Sequence, residues 1–147
     1  MVIKKQEQHF LFANKSQWYR SNTYYNLGQD GVIMKITRNS NILIVLPRAA
    51  TSREIFASEE LSKYLTQIFC EIQITTTNDS TELSGDVILI GGPERNIQTA
   101  RFLTEAQFDH IVPGPEGMLI QTLDDNTLLL AGSSKNINEC ERGTIYA

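Results

Sequence analysis

The stretch Ile42-Leu43-Ile44-Val45-Leu46, followed by Pro47 and then by Thr51-Ser52-Arg53-Glu54, decides the fold. A continuous apolar run of this length is typical of a β-strand that is buried on both faces. Pro47 ends the strand because proline has no backbone N–H to donate to a sheet. Thr51 and Glu54 fit a capping box, in which both side chains satisfy free N–H groups at the start of a helix. The sequence therefore predicts a strand that leads into a helix over residues 52–69.

The flanking segments alternate between strand and helix patterns. A second continuous apolar run, at 86–90, is closed by Gly91-Gly92-Pro93. A strand is predicted at 32–37, with a turn at 38–41 that pairs it in a hairpin with the run at 42–46. A further strand is predicted at 72–76, a helix at about 95–106, an irregular stretch at 108–115, and a second hairpin at 117–132 with its turn at 124–126. Such an order is typical of layered domains that pair a sheet with helices. We therefore predict a single-domain α+β or α/β fold, with a small mixed β-sheet and helices packed mainly on one face.

The predicted helix at 52–69 carries apolar residues at helical spacing. They are Ala57, Leu61, Tyr64, Leu65 and Ile68, with Phe56 and Phe69 on either side. We expect this stripe to face the core. Cys70 follows among apolar residues, and we expect it to be a small buried hydrophobic residue. Whether Cys70 pairs with Cys140 stays open, because the sequence does not supply the geometry of a disulfide.

Composition excludes several classes of partner. The chain has 147 residues, a net charge of −4 and 41% hydrophobic residues. Nucleic acids and anionic membrane surfaces are bound by basic faces, so neither is an expected partner. No apolar run approaches the roughly 18 residues that a membrane span needs. The N-terminal residues carry no apolar signal-peptide segment.

Residues with the spacing of a catalytic or metal site are scarce. His9 and His110 lie far apart, which argues against a zinc site, and the acidic pair Asp124-Asp125 is typical of a hairpin turn. Gly91-Gly92 follows a strand and could direct backbone N–H groups at a phosphate. Pro93 removes one such donor, however, and Glu94 would repel an anion there. We predict no catalytic residue, no metal and no cofactor.

The N-terminal region contains an aromatic cluster. Its members are Trp18, Tyr19, Tyr24 and Tyr25. Flat rings with polar groups stack on sugar faces, and they are also typical of packed domain interfaces. These four residues are therefore candidate carbohydrate-binding residues, with packing against the rest of the protein as the alternative.

Five segments, in order, resemble a known accessory domain. They are ASEELSKYL at 57–65, DVILIG at 86–91, GMLIQT at 117–122, TLLLAG at 127–132 and RGTIYA at 142–147. Together they resemble the non-catalytic N-terminal domain of alpha-glucuronidases and related glycoside hydrolases, and the second domain of beta-hexosaminidases is similar. The resemblance covers 41–147, so we treat residues 1–40 as an N-terminal arm or first-strand region.

The resemblance implies a non-catalytic accessory domain that supports the catalytic domain of a glycoside hydrolase or borders its substrate cleft. The main partner would be a downstream catalytic barrel of the same polypeptide, with carbohydrate as a second possible partner. Arg142, Gly143 and Tyr146 would lie near the domain junction. The resemblance also implies a secreted or periplasmic protein.

The C-terminal segment predicts the start of a helix at 139–147 with no stop signal. We therefore expect the chain to be part of a longer polypeptide. Two other functions stay open. One is a free-standing carbohydrate-binding module that uses the aromatic cluster, and the other is a small nucleotide-binding domain that uses Gly91-Gly92.

Overall fold

The computed structural model describes residues 10–13, 33–111, 117–133, 144, 145 and 147. In chain order the elements are β1 (Phe10–Ala13), β2 (Ile33–Ile36), β3 (Asn41–Leu46), α1 (Ser52–Ile68), β4 (Gln73–Asn78), β5 (Asp86–Ile90), α2 (Ile97–Ala100), α3 (Glu105–Ile111), β6 (Met118–Asp124) and β7 (Thr127–Gly132). The predicted strands and the predicted first helix are all present, with bounds that differ by one or two residues.

Within the described residues, five strands form a mixed sheet in the order β4-β3-β5-β7-β6. The first four are parallel, and β6 runs antiparallel to β7 through a tight hairpin. Strands β1 and β2 form a separate antiparallel pair. The hairpin predicted between 32–37 and 42–46 is therefore wrong, because both edges of β3 are taken by the parallel strands β4 and β5. The predicted fold class, a small mixed sheet with helices in one domain, is confirmed.

The three central strands are buried on both faces, as their continuous apolar runs predict. Ile44, Ile88 and Leu128 lie side by side in the sheet and belong to one hydrophobic cluster. Val45 and Leu129 belong to a second cluster on the opposite face. Because successive side chains of a strand point to opposite faces, each strand contributes to both clusters. Each fully buried side chain of this type contributes about 1.5–3 kcal/mol through removal from water.

Different elements cover the two faces. Helix α1 lies against β3 and β4, where Leu65 and Phe69 join the first cluster. Met34 and Ile36 of β2 complete that cluster, and both are fully buried. The second cluster receives Phe108 of α3, which is also buried. The sheet is thus the middle layer of the domain.

The capping box of α1 forms as predicted. The Glu54 N–H donates to Thr51 Oγ1 at 3.3 Å, and the Thr51 N–H donates to Glu54 Oε2 at 2.8 Å. Both N–H groups would otherwise have no partner in the first turn. The helix ends at Ile68, where the N–H of Phe69 donates to the carbonyl of Leu65.

The predicted apolar stripe of α1 is only partly correct. The buried residues of the helix are Glu54, Ser58 and Leu65, whereas Tyr64 is 54% exposed and Ile68 is 41% exposed. Positions 54, 58 and 65 lie on one side of the helix, and positions 64 and 68 lie farther round its circumference. The prediction failed because it assigned the inward face by hydrophobicity alone, while two polar residues occupy part of that face.

Cys70 is exposed, so its predicted burial is wrong. It lies in the turn that follows α1. Its neighbours Phe69 and Ile72 are both buried and belong to the first cluster. In this turn Phe69 and Ile72 face the core, whereas Cys70 and Glu71 between them face solvent.

The prediction of one helix at about 95–106 is also wrong. Helix α2 has only four residues, and the N–H groups of Phe102 and Leu103 both donate to the Thr99 carbonyl in the turn that ends it. A second capping box then starts α3. The Gln107 N–H donates to Thr104 Oγ1 at 3.3 Å, and the Thr104 N–H donates to Gln107 Oε1 at 2.9 Å. Residues 108–111, predicted to be irregular, are therefore helical.

Gly91 gives the first testable prediction. Its φ is +102°, and an added Cβ would lie 3.1 Å from Pro47 Cγ and 3.2 Å from Glu54 Oε1. We expect Gly91→Ala to lower the free energy of unfolding by more than about 2 kcal/mol, because backbone strain and crowding act together. Chemical denaturation measures this loss.

Gly85→Ala is the matched control. Gly85 also has a positive φ, of +73°, but an added Cβ would meet only the Asn41 carbonyl oxygen at 3.9 Å. Its loss should be about 1 kcal/mol, from backbone strain alone. Equal losses of unfolding free energy in the two variants would show that steric crowding around Gly91 does not contribute to the effect of Gly91→Ala.

Candidate functional site

The strand order of the sheet indicates the edge at which a ligand would bind. From β3 the chain crosses to β4 on one side, and β5 then pairs with β3 on the other side. In open α/β sheets, ligands bind where connections leave neighbouring strands in opposite directions, beyond the carboxyl ends of those strands. Here that position lies between Leu46-Pro47 after β3 and Gly91-Gly92 after β5. We take this edge as the candidate site.

A buried ion pair occupies the candidate site. Arg95 Nη2 donates to Glu54 Oε2 at 2.9 Å, and Arg95 Nε donates to Glu54 Oε1 at 3.3 Å. Arg95 Nη2 also donates to the Ala49 carbonyl at 2.8 Å. The side chain of Glu54 is 4% exposed and that of Arg95 is 20% exposed. The pair joins the start of α1 to the segment that follows β5.

Asn96 joins the two strand ends directly. Its Nδ2 donates to the Val45 carbonyl at 3.1 Å and to the Ile90 carbonyl at 2.9 Å. Its Oδ1 accepts the N–H groups of Gln98 and Thr99, so the same side chain caps α2. Asn96 is fully buried, and all of these bonds are therefore shielded from water.

The Gly91-Gly92 segment has its own internal partners. The Gly91 N–H donates to the Leu130 carbonyl, and the Gly91 carbonyl accepts from Thr99 Oγ1 at 2.9 Å. A Cβ at Gly92 would lie 2.9 Å from Glu94 Oε2 and 3.0 Å from the Phe108 ring. A carboxylate thus lies against the glycines that a phosphate would approach. This arrangement is suited to tight packing and to excluding an anion.

Three carboxylates lie near one another at this edge. Burial raises the pKa of Glu94, and the negative charges of Asp109 and Glu105 raise it further, while its own backbone N–H and Arg95 oppose the shift. His110 lies in the last turn of α3, beside Asp109 in sequence. Among the residues that the structure describes, no group of three or more His, Cys, Asp or Glu side chains could hold a metal ion.

The site residues predicted from the sequence lie outside the described residues. This is true of the aromatic cluster, Trp18, Tyr19, Tyr24 and Tyr25, and of the junction residues Arg142, Gly143 and Tyr146. Part of the RGTIYA motif is described. Thr144 Oγ1 accepts the Gly132 N–H at 3.0 Å, and Ala147 packs against the first hydrophobic cluster.

Sequence reasoning missed the roles of Arg95 and Asn96. Thr51 and Glu54 were recognised as a capping pair, but nothing in the local pattern links Glu54 to an arginine 41 positions away. A signal for Asn96 was present, because asparagine before a short helical pattern is a preferred N-cap residue. The predicted helix at about 95–106 placed Asn96 inside the helix and so hid this signal.

The ion pair gives a second prediction. We expect Arg95→Met to lower the free energy of unfolding by about 3 kcal/mol, because it leaves the Glu54 carboxylate buried without its cation. Lys63→Met is the matched control, since Lys63 pairs with Glu60 at 3.0 Å on the exposed side of α1. Denaturation should show little change for the control. Similar losses in the two variants would contradict a structural role for the buried pair.

Glu94 gives a third prediction. A raised pKa means that the folded state binds the proton more tightly than the unfolded chain, so stability falls as pH rises through the folded-state pKa. This penalty is absent below the unfolded-state pKa of about 4.3 and grows as the pH rises above it. Glu94→Gln should therefore raise the thermal midpoint at pH 7, with a gain that shrinks toward pH 4.

Glu59→Gln, on the exposed side of α1, removes the same charge and serves as the control. Its effect should not follow this pH profile. A Glu94→Gln gain that is constant with pH would contradict the electrostatic explanation.

No protein-family model matches the chain, and no curated protein matches it significantly. In the described part of the chain, no helix combines the length and apolar character that crossing a bilayer requires.

Proposed function

We propose that this chain is a non-catalytic accessory domain of a glycoside hydrolase, and that it supports a catalytic domain of the same polypeptide. The proposal starts from the resemblance of residues 41–147 to the N-terminal domain of alpha-glucuronidases. The sheet-and-helix fold that this resemblance implies agrees with the observed mixed sheet.

One observation carries the proposal beyond the sequence pattern. Thr144, in the RGTIYA motif, is 7% exposed and accepts a hydrogen bond from the N–H of Gly132, the last residue of β7. Ala147 packs against the cluster that also contains Leu65 and Phe69. Thr144 and Ala147 are therefore integrated into the packed body of the domain. A segment that joins two domains rigidly needs such anchoring.

The candidate site supports the non-catalytic part of the proposal. Glu54 and Arg95 form hydrogen bonds with each other. The side-chain amide of Asn96 donates to the Val45 and Ile90 carbonyls, at the ends of β3 and β5. An acid or base that acts on a substrate must be within hydrogen-bond reach of it. Here Glu54, Arg95 and Asn96 are already bound to one another or to backbone carbonyls, which favours a supporting role for these three side chains.

The test compares the 147-residue chain with the full-length product of its reading frame. Both are assayed on aryl glycosides that include glucuronides and N-acetylhexosaminides. We expect hydrolysis by the full-length product and none by the 147-residue chain. Hydrolysis by the shorter chain would contradict the non-catalytic role, and a full-length product without glycosidase activity would contradict the parent class.

A binding assay addresses the alternative function. Retention of the 147-residue chain in a polysaccharide gel, abolished by Trp18→Ala, would replace the supporting role with a carbohydrate-binding one. Unchanged migration in gels of several polysaccharides is the result that the proposal expects.

Thr144 provides a fourth prediction. Thr144→Val should lower the free energy of unfolding by about 1–3 kcal/mol, because the buried Gly132 N–H loses its acceptor. Thr127→Val, at the opposite end of β7 and also buried, is the matched control and should cost less. Chemical denaturation measures both losses. A larger loss for the control would argue against anchoring through Thr144.

A further inference from the structure

Two buried polar side chains connect the turn after β4 to α2. Asp79 is 2% exposed and Gln98 is 3% exposed. Gln98 Nε2 donates to the backbone carbonyls of Asp79 and Thr81, at 2.9 and 3.0 Å. Asp79 Oδ2 accepts the Ile97 N–H at 2.9 Å. The two side chains are therefore neighbours in a fixed arrangement.

One oxygen of each side chain has no hydrogen-bond partner among the described residues. These atoms are Asp79 Oδ1 and Gln98 Oε1, and both are inaccessible to solvent. A rotated Gln98 amide does not resolve this, because it would bring Oε1 against two carbonyl oxygens. Buried acceptors without partners are rare in folded proteins and call for an explanation.

Asp79 also lacks a cationic partner within the described part of the chain. The ion pairs found there join Arg38 to Glu71, Lys63 to Glu60 and Arg95 to Glu54. Burying a carboxylate is strongly unfavourable unless its charge is paired or bound to a metal ion. A positively charged group beside Asp79 would offset the cost of burying its charge and would give Asp79 Oδ1 a partner.

We propose that the turn at 78–82 and Gln98 bind a calcium ion through Asp79 Oδ1 and Gln98 Oε1. Calcium takes carboxylate, amide and backbone carbonyl oxygens in irregular arrangements, whereas magnesium requires a nearly ideal octahedron. The carbonyls of Asp79 and Thr81 each keep a second lone pair in the same turn.

The charge of the site sets its expected strength. It contains a single carboxylate, whereas tight calcium sites combine several. We therefore expect a dissociation constant of about 10⁻⁴ to 10⁻³ M, the range of weak extracellular calcium modules. The site does not depend on the glycoside hydrolase proposal, because it rests on the turn and α2 alone.

Thermal unfolding of the 147-residue chain tests this inference. We compare CaCl₂ at about ten times the expected dissociation constant with MgCl₂ and NaCl at equal ionic strength. Calcium should raise the midpoint of the unmodified chain by roughly 3 °C, because it binds only the folded state. The other salts should not reproduce this shift.

Two variants identify the residue responsible. Asp79→Asn should lose the calcium response, while Asp125→Asn, in the exposed hairpin turn, should keep it. An equal response in both variants would overturn the proposal, since it would indicate general screening of acidic charge. No calcium response in the unmodified chain would also overturn it. If Asp79→Asn is then more stable than the unmodified chain, the new amide donates to Gln98 Oε1 and an uncharged partner is sufficient.

A second measurement covers the case in which Asp79→Asn fails to fold. Calcium is titrated into the isotopically labelled, unmodified chain, and backbone amide signals are followed by NMR. The proposal expects saturable shifts concentrated at Asp79, Ile97 and Gln98. Small shifts spread over the exposed acidic residues would overturn it.

Discussion

The carboxylate of Glu54 holds together two parts of the chain that are far apart in sequence. One oxygen accepts the Thr51 N–H at the start of α1, and both oxygens accept from the Arg95 guanidinium after β5. Because Glu54 is buried, each bond acts with little screening by water. The position of α1 over the sheet and the path of the chain after β5 are therefore set by the same side chain. Asn96 adds a second link at this edge by bonding the ends of β3 and β5.

The fold was largely predictable from the sequence because its strongest signals are local. Ile42–Leu46 and Asp86–Ile90 contain continuous apolar runs, and a strand buried on both faces requires them. The capping box at Thr51 and Glu54 fixed the start of α1 to the residue. The second capping box, at Thr104 and Gln107, is equally local and could have been found. It was missed because one long helix was predicted across residue 104.

The candidate site was less predictable, and the reason is physical. The inward face of α1 carries Glu54 and Ser58, which a hydrophobicity pattern assigns to solvent. Their burial depends on Arg95 and on neighbouring backbone carbonyls, such as that of Ile55, which accepts from Ser58 Oγ. The Ile55 carbonyl is a local partner within α1, whereas Arg95 is brought to Glu54 only by the folded sheet. The residues that the sequence did nominate, among them Trp18 and Arg142, lie outside the described parts of the chain, so their roles remain predictions.

The mixed character of the sheet has a consequence for how the chain folds. Strands β6 and β7 pair across a two-residue turn, so their contacts close a very short loop. Ile44 and Ile88, in contrast, meet only after α1 and β4 have been traversed, and Ile88 and Leu128 are separated by α2, α3 and β6. Long loops must lose more entropy before their contacts form, and parallel pairing is correspondingly slow. The hairpin can therefore form early, whereas alignment of the three central strands is the step expected to set the folding rate.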